Sequence, residues 1–396
     1  MWSISCTISL VAFLINFVAC SGQGQPFGFG AQTTGGGNVT AQTPNSLEQL
    51  VSWLADSVPR VILIDRTFDF SDLEGNVTET GCAPWPTCSS GNQVQHARNV
   101  VGWCAQHCEA GRSLAVHYRK AATTQISIGS HKTLRGVGNK GIIKGKGFLV
   151  FRQNNIIIQN IHITYLNPHL VWAGDALVMN GASNIWVDHC TFSYIGRQMI
   201  VADLENNVGI TLSNNHFQGK TEWSSNCYAK HYWTVLLSGH GDTITMANNC
   251  FDQTSGRSPK LGGTTGPRVD LHYYNNVHFQ GRGQSLEIVT GGHMLAEGNL
   301  FRDLSIDYPE QAQTEIGGHG YVPFTADEAA KCQAYLGRPC VQNAEDNSKG
   351  QPSQVVFGKT LSVLTDFEGV SYIKDVNIRP ASELVNGPPG GCGIGI

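Results

Sequence analysis

Three phrases in this 396-residue chain place charge inside otherwise apolar, strand-like sequence: VWAGDAL at 171–177, IGRQMIV at 195–201 and SGRSPKLGG at 255–263. They contribute Asp175, Arg197 and Arg257. A guanidinium stays protonated through the ordinary pH range and carries its N–H donors in a rigid fork. Were a fold to bring them together, two such cations and one carboxylate would suit a reaction in which negative charge grows on a substrate oxygen. Other chemistries lack their residues. No close pair of Asp occurs in the strand-like phrases, as an acid working with a water-activating base would require. No closely spaced Cys pair is followed by a second Cys or His pair at zinc-ligand spacing. Cys190 lies in an apolar phrase, where a small buried thiol packs without reacting.

Groups so far apart in sequence need a scaffold that stacks them, and the chain carries a repeat from about Ile126 to Leu304. NIIIQNIHI (155–163), NIWVDHCTF (184–192), GITLSNNHF (209–217), TITMANNCF (243–251) and LAEGNLF (295–301) are variants of one phrase, and LHYYNNVHF (271–279) fits with one extra residue. With Ile163, Phe192, Phe217, Phe251, Phe279 and Phe301 as markers, the spacings are 29, 25, 34, 28 and 22 residues. A period that varies by insertion while the phrase persists is that of a solenoid, whose loops lengthen without disturbing the stacked strands. Ile185, Val187, Ile210 and Leu212 then point inward at period two, with coils about 4.8 Å apart. Asn215, Asn249 and Asn299, each two residues before a marker, suit a left-handed turn and a ladder of stacked amides. Cys190 and Cys250 fall two coils apart, a span of about 9.6 Å that no disulfide bridges, so both are expected to be free.

A solenoid end needs a cap. Ser46-Leu47-Glu48-Gln49 reads as a capping box opening an amphipathic helix over 46–57 through Leu47, Leu50, Val51 and Leu54. Residues 21–45 read as extended, 60–70 as a strand and 71–112 as a cysteine-bearing loop region. After Leu304 the period fades, and 386–396 reads as a Gly/Pro-rich flexible tail. Residues 1–20 hold an apolar stretch from Ile8 to Val18, too short to span a bilayer, and read as a signal peptide ahead of a single domain over 21–385. Removal after Cys20 leaves ten of the 12 cysteines, which suits an oxidising compartment. Asn38 and Asn76 begin Asn-x-Thr sequons and are candidate glycosylation sites in a secreted chain. Only 14% of residues are charged, Lys+Arg 26 nearly balances Asp+Glu 30, and no basic run appears, so nucleic acid has no electrostatic footprint here.

The three charged phrases, with WVDH (186–189), GCAPW (81–85), GIIKGKG (141–147), HYW (231–233), TGG (290–292) and AEGN (296–299), resemble the pectate lyase superfamily, and specifically its pectin lyase branch. The resemblance implies an all-β fold, a right-handed parallel β-helix with long loops forming a substrate cleft. It implies a secreted, monomeric enzyme that cuts methyl-esterified galacturonan by β-elimination. Arg257 matches the family's catalytic arginine, and Asp175 and Arg197 match the residues that accompany it in pectin lyases. Removing the C5 proton of a uronic ester puts negative charge on the carbonyl oxygen, which Arg197 would face while Asp175 orients it and Arg257 faces the C5 hydrogen. Whether Arg257 takes the proton itself, or stabilises charge while hydroxide or another group does, stays open at this level.

By the same resemblance, Ile195 and Met199 occupy positions where pectate lyases carry acidic calcium ligands, so no metal or other cofactor is expected; Asp203 and Glu205 nearby are the competing acidic candidates. Trp85, Trp172, Trp223, Trp233 and Lys260 are candidates for the sugar cleft, and Trp103 stands equally for cleft or core. The family pattern pairs Cys82 with Cys104, Cys88 with Cys227 and Cys332 with Cys340, leaving Cys108 and Cys392 to pair with each other by counting. Three readings compete with a pectin lyase: a calcium-dependent pectate lyase on the same fold, a hydrolase of the same polymer, and a carbohydrate-binding β-helix without catalysis. The last leaves the three charged phrases unexplained.

Overall fold

The computed structural model describes residues 24–89, 91–263, 266, 268–305, 318–349, 359–384 and 391–395; the expected signal peptide lies outside them. Three parallel sheets run the length of the molecule, two of nine strands and one of seven, and each coil visits them in turn as a right-handed solenoid. The coils begin at Arg60–Ile64 and continue to Ala344–Asp346, well beyond the stretch in which the repeat is readable. No helix among the described residues is long and apolar enough to cross a membrane.

Inward positions fall into columns, as period two requires. Ile62, Leu134, Ile158, Val187, Leu212, Met246, Tyr273 and Ala296 are register partners along one sheet, and all are buried. A second column is a stack of rings, Phe192, Phe217, Phe251, His278 and Phe301, with successive centroids 4.7 to 5.5 Å apart. Here the repeat is corrected: His278, not Phe279, aligns with Phe251 and Phe301. Burial holds the His278 imidazole down at about 3, so it packs as a neutral ring.

The amide ladder is present and longer than expected. Asn249, Asn276, Asn299 and Asn343 each accept, through the side-chain oxygen, from the backbone N–H and side-chain N–H of the preceding coil's Asn, beginning at Asn215, at 2.8 to 3.1 Å. Cys190 continues the line, its N–H donating to the Asn215 oxygen at 2.9 Å, and is a free, buried thiol. The left-handed residue of each turn is the one before the ladder position: Asn160, His189, Asn214, Asn248 and Asn275 all have φ between 49° and 58°. The ladder asparagines therefore serve as side-chain linkers rather than as the left-handed residues.

The expected helix is Leu47–Ala55, with the Ser46 hydroxyl accepting from the Gln49 N–H and the Gln49 side chain accepting from the Asn45 N–H. Leu50 and Leu54 enter the core and close the first coil. Lys132 occupies an inward column there, fully buried, and its ammonium donates to the carbonyls of Asp56 and Val58, just beyond the helix, and of Ser130. Residues 71–112 are more ordered than a loop: Asn76–Cys82 and His96–Arg98 join Ser113–Arg119 and Leu170–Val171 in a four-stranded sheet flanking the solenoid. Asn38 and Asn76 are both exposed.

Both ends of the chain strap the coils. Between Phe29 and Gly36 the backbone N–H groups donate in turn to Thr245, Thr211, Asn155 and Thr133, crossing one sheet from coil to coil. At the other end, Cys392 is bonded to Cys250, and Gly393, Ile394 and Gly395 donate to the Asn214 carbonyl, the Thr191 hydroxyl and the Asn160 amide. Three expectations change together: Cys250 is not free, Cys392 does not pair with Cys108, and residues 391–395 are docked. Cys250 sits on an outward column, where its partner comes from outside the stack. Cys88–Cys227 and Cys332–Cys340 form as expected, whereas the Cys82 sulfur lies within bonding reach of both Cys104 and Cys108.

At the end of the strand Gly292–Glu297, Glu297 is fully buried and accepts from both terminal nitrogens of Arg338, from His272 and from the Val341 N–H. Burial alone would raise its pKa, but the hydrogen bonds from Arg338 and His272 outweigh it and hold the carboxyl at about 2.

Two stability predictions follow from these contacts. Asn249→Ala leaves the buried Asn215 N–H groups without their acceptor and should lower the unfolding free energy by about 3 kcal/mol, measured by denaturant titration; a loss under about 0.5 kcal/mol would mean that the ladder is not a source of stability. The depressed Glu297 pKa gives stabilisation that is complete above its unfolded value of about 4.3 and is lost as pH falls towards 2, on the order of 3 kcal/mol. Glu297→Gln should remove that acid dependence while lowering stability at neutral pH, and an unchanged acid limb in thermal melts would refute the assignment.

Candidate active site

One sheet carries the site. Its strands stack in the order Ile126–Ser127, Phe148–Phe151, Leu177–Asn180, Ile200–Ala202, Val235–Leu237, Lys260–Leu261 and Glu287–Ile288. Asp175, Arg197, Trp233 and Arg257 each lie two or three residues before one of these strands, on the segment that enters it. Backbone bonds continue through these segments: the Arg197 N–H donates to Gly174, Met199 to Trp233 and Val235 to Arg257, at 2.7 to 3.1 Å. The side chains therefore inherit the spacing of the coils.

Arg197 Nη1 approaches Asp175 Oδ2 at 3.5 Å, while Asp175 Oδ1 accepts from the Gln198 N–H at 2.7 Å. Burial raises the Asp175 pKa and Arg197 opposes that rise. The Arg197 guanidinium lies 3.7 Å above the Trp172 ring, and that of Arg257 lies 4.7 Å from Trp233. Cation–π contacts of this kind hold the planar cations without using their N–H groups. Arg197 Nε and Arg257 Nε and Nη1 are buried yet make no hydrogen bond among the described residues. These are donors with capacity in reserve. Burial pushes the Arg257 pKa down; Tyr232 and Glu287 oppose that, and the neighbouring cation Arg197 adds to it. Trp172 and Arg257 both have left-handed backbones, φ 66° and 45°. That conformation costs a non-glycine residue about 1 kcal/mol or more, and it recurs at the turns of the coils.

Trp85, Trp172 and Trp233 share one half-buried cluster with Trp103, whose ring packs against Trp172 at 6.3 Å. Trp85 stands 6.1 Å from Trp233. Trp223 is apart from them: its two-residue strand pairs with Gln93–Val94, and its ring lies against His169 at 5.5 Å. Lys260 is held by Glu287 at 2.6 Å on the next strand. Ile195 and Met199 point into the apolar interior. Glu205 is drawn off into a surface ion pair with Arg152. Groups of His, Cys, Asp or Glu that could hold a metal ion occur, among the described residues, at Cys82/Cys104/Cys108 and Asp270/His293/Asp366, neither of which includes Asp175.

Sequence reasoning passed over three residues here. Tyr232 lies beside the Arg257 guanidinium, and a cavity of about 300 Å³ lined in part by Tyr232, Asn226, Ser255 and Gln284 opens next to it. Gln95 is buried, accepts from the Trp233 indole at 3.0 Å and donates to the carbonyls of Pro168 and Gly196. His231 is buried behind Arg197. The HYW phrase marked the region, but nothing in it shows what His231 and Tyr232 touch.

A family model described as pectate lyase matches residues 104–315, more than half of the chain. The chain belongs to the pectate lyase family. It is a polysaccharide lyase. Within the family it is similar to fungal pectin lyases: 40% identical over 363 residues to probable pectin lyase D of Aspergillus flavus, covering 91% of this chain and 92% of that one. Probable pectin lyase E of Aspergillus fumigatus is 43% identical over 324 residues, covering 81% and 82%. Among solved structures, an arginine-to-lysine mutant of Bacillus subtilis pectate lyase superposes with a TM-score of 0.58 at 17% identity, covering 94% of this chain and 98% of that one. A pectate lyase bound to a hexasaccharide gives the same TM-score at 18% identity, covering 94% and 97%. At that identity these two structures bear on the fold alone.

Proposed function

We propose that this chain is a secreted pectin lyase that cleaves methyl-esterified α-1,4-galacturonan by β-elimination without calcium. The observation that carries the reading is the Asp175–Arg197–Arg257 cluster, whose buried guanidinium N–H groups without hydrogen-bond partners lie beside the Trp172 and Trp233 rings. Arg197 meets the ester carbonyl, Asp175 orients Arg197 and partly neutralises it, and Arg257 meets the C5 hydrogen. The small fraction of Arg257 made neutral by burial takes the C5 proton, and the C5–H electron pair becomes the C4–C5 double bond. The C4–O bond breaks, and the departing oxygen takes a proton from water. The charge that passes through the ester oxygen is met by a cation already in place. Calcium is unnecessary in this reading because Arg197 supplies the positive charge and an esterified carboxyl brings no negative charge to offset. Trp85, Trp172 and Trp233 offer ring faces to the sugars, with Trp223 and Lys260 at greater remove. Asn38 and Asn76 carry glycan where the chain passes through a secretory route.

Two experiments test this reading. Incubation with highly methylated pectin should yield unsaturated product, seen by ultraviolet absorbance, at a rate that a calcium chelator leaves unchanged; product only from polygalacturonate, and only without chelator, would overturn it. Arg257→Lys should lower kcat by about 10²–10⁴. Because burial and Arg197 depress the Arg257 pKa, the wild-type rate should climb with pH through the alkaline range, and the variant's climb should begin at lower pH, an amine being the weaker base. A limb that stays in place would assign proton removal to hydroxide or another group.

A further inference from the structure

Backbone bonds run through the entering segments that carry Arg197, Trp233 and Arg257, the Trp233 and Arg257 carbonyls accepting from Met199 and Val235, and a buried side chain adds to them there. One residue reaches all three segments. The His231 ring nitrogen Nε2 lies 2.9 Å from the Arg197 carbonyl and 2.9 Å from the Trp233 carbonyl. Its own carbonyl accepts from the Ser255 N–H at 2.8 Å, two residues before Arg257, and its N–H donates to Gly219 at 2.7 Å. Two carbonyl oxygens can only accept, so Nε2 carries the hydrogen and the tautomer is set. Burial pushes the ring's pKa down to about 4, with the two carbonyl contacts opposing, so the ring is neutral above that pH.

We infer that His231 is a positioning residue for the elimination, a single N–H shared by the backbones of Arg197 and Trp233 that sets the separation of the two guanidinium groups. This rests on the proposed function. The Arg257 guanidinium lies on the Trp233 ring, so the spacing between Arg197 and Trp233 is also the spacing between the cation for the carbonyl and the group at C5. Gln95 acts in parallel from the other side, gripping the Gly196 carbonyl and the Trp233 indole through one amide. A mismatch of about 1 Å between two such groups costs on the order of 10²-fold in rate.

The test compares His231→Gln with His231→Asn in the full-length secreted protein. The Gln amide nitrogen falls near the place of Nε2 and has one hydrogen for each carbonyl; the Asn amide falls short. Both variants are polar and similar in size, and both are checked by circular dichroism and thermal melting before assay on methylated pectin. Expected for His231→Asn is a kcat about 10- to 100-fold lower with KM within about threefold, and for His231→Gln a kcat within about fivefold of wild type. Equal kcat in both folded variants, or a loss confined to KM, would overturn the inference. If His231→Asn fails to fold, His231→Gln with Gln95→Glu supplies the second comparison: Gln95→Glu should lose kcat because it has no N–H for Gly196, and unchanged kcat there would count against the inference. An inactive wild type would instead sink the proposed function and leave the geometry as described.

Discussion

Everything in this molecule depends on the fixed spacing between parallel strands, about 4.8 Å, repeated along one axis. Because register is held residue against residue, chemically related side chains fall into columns, and a column is all that is needed to bring distant parts of the chain together. The asparagine ladder and the ring stack run through the interior of the same coils and resist slippage. A shift of one residue would turn every inward side chain out. Asp175, Arg197, Trp233 and Arg257 lie on successive entering segments of one sheet, so the accuracy of the site is the accuracy of the stack.

The site departs from the economy of the core. Arginines are ordinarily buried with their donors satisfied, and here several donors are left idle beside aromatic faces. Unsatisfied buried N–H groups are costly. Left-handed backbones at Trp172 and Arg257 add to that cost. The surrounding solenoid, with termini strapped across it and Glu297 gripping Arg338 at its far end, supplies the stability that such a site draws on.

What could be read in advance follows from how local each signal is. The repeat was visible because β-branched runs and the Asn-Asn phrase are contiguous in sequence, and Asp175, Arg197 and Arg257 stood out because charge interrupts apolar strands. The register at 271–279 lies one residue from where the repeated phrase puts it, since a buried neutral histidine does the work of the expected phenylalanine and no local pattern says so. Lys132 occupies an inward column because the acceptors it needs arrive from the end of the capping helix, 70 residues and more away in sequence. Cys250 finds Cys392 only because the tail crosses the coils. Gln95 and His231 are illegible for the same reason: apart from the Trp233 indole, their side-chain partners are backbone carbonyls, which carry no trace in the identity of the residues that own them.

The most direct test of the central claim is a crystal structure of Arg257→Lys with a methyl-esterified oligogalacturonide bound. An ester carbonyl oxygen should lie about 3 Å from an Arg197 nitrogen, on a ring whose C5 hydrogen faces residue 257, with its neighbours on Trp172 and Trp233. A sugar chain bound in order elsewhere, or one whose ester points away from Arg197, would contradict it.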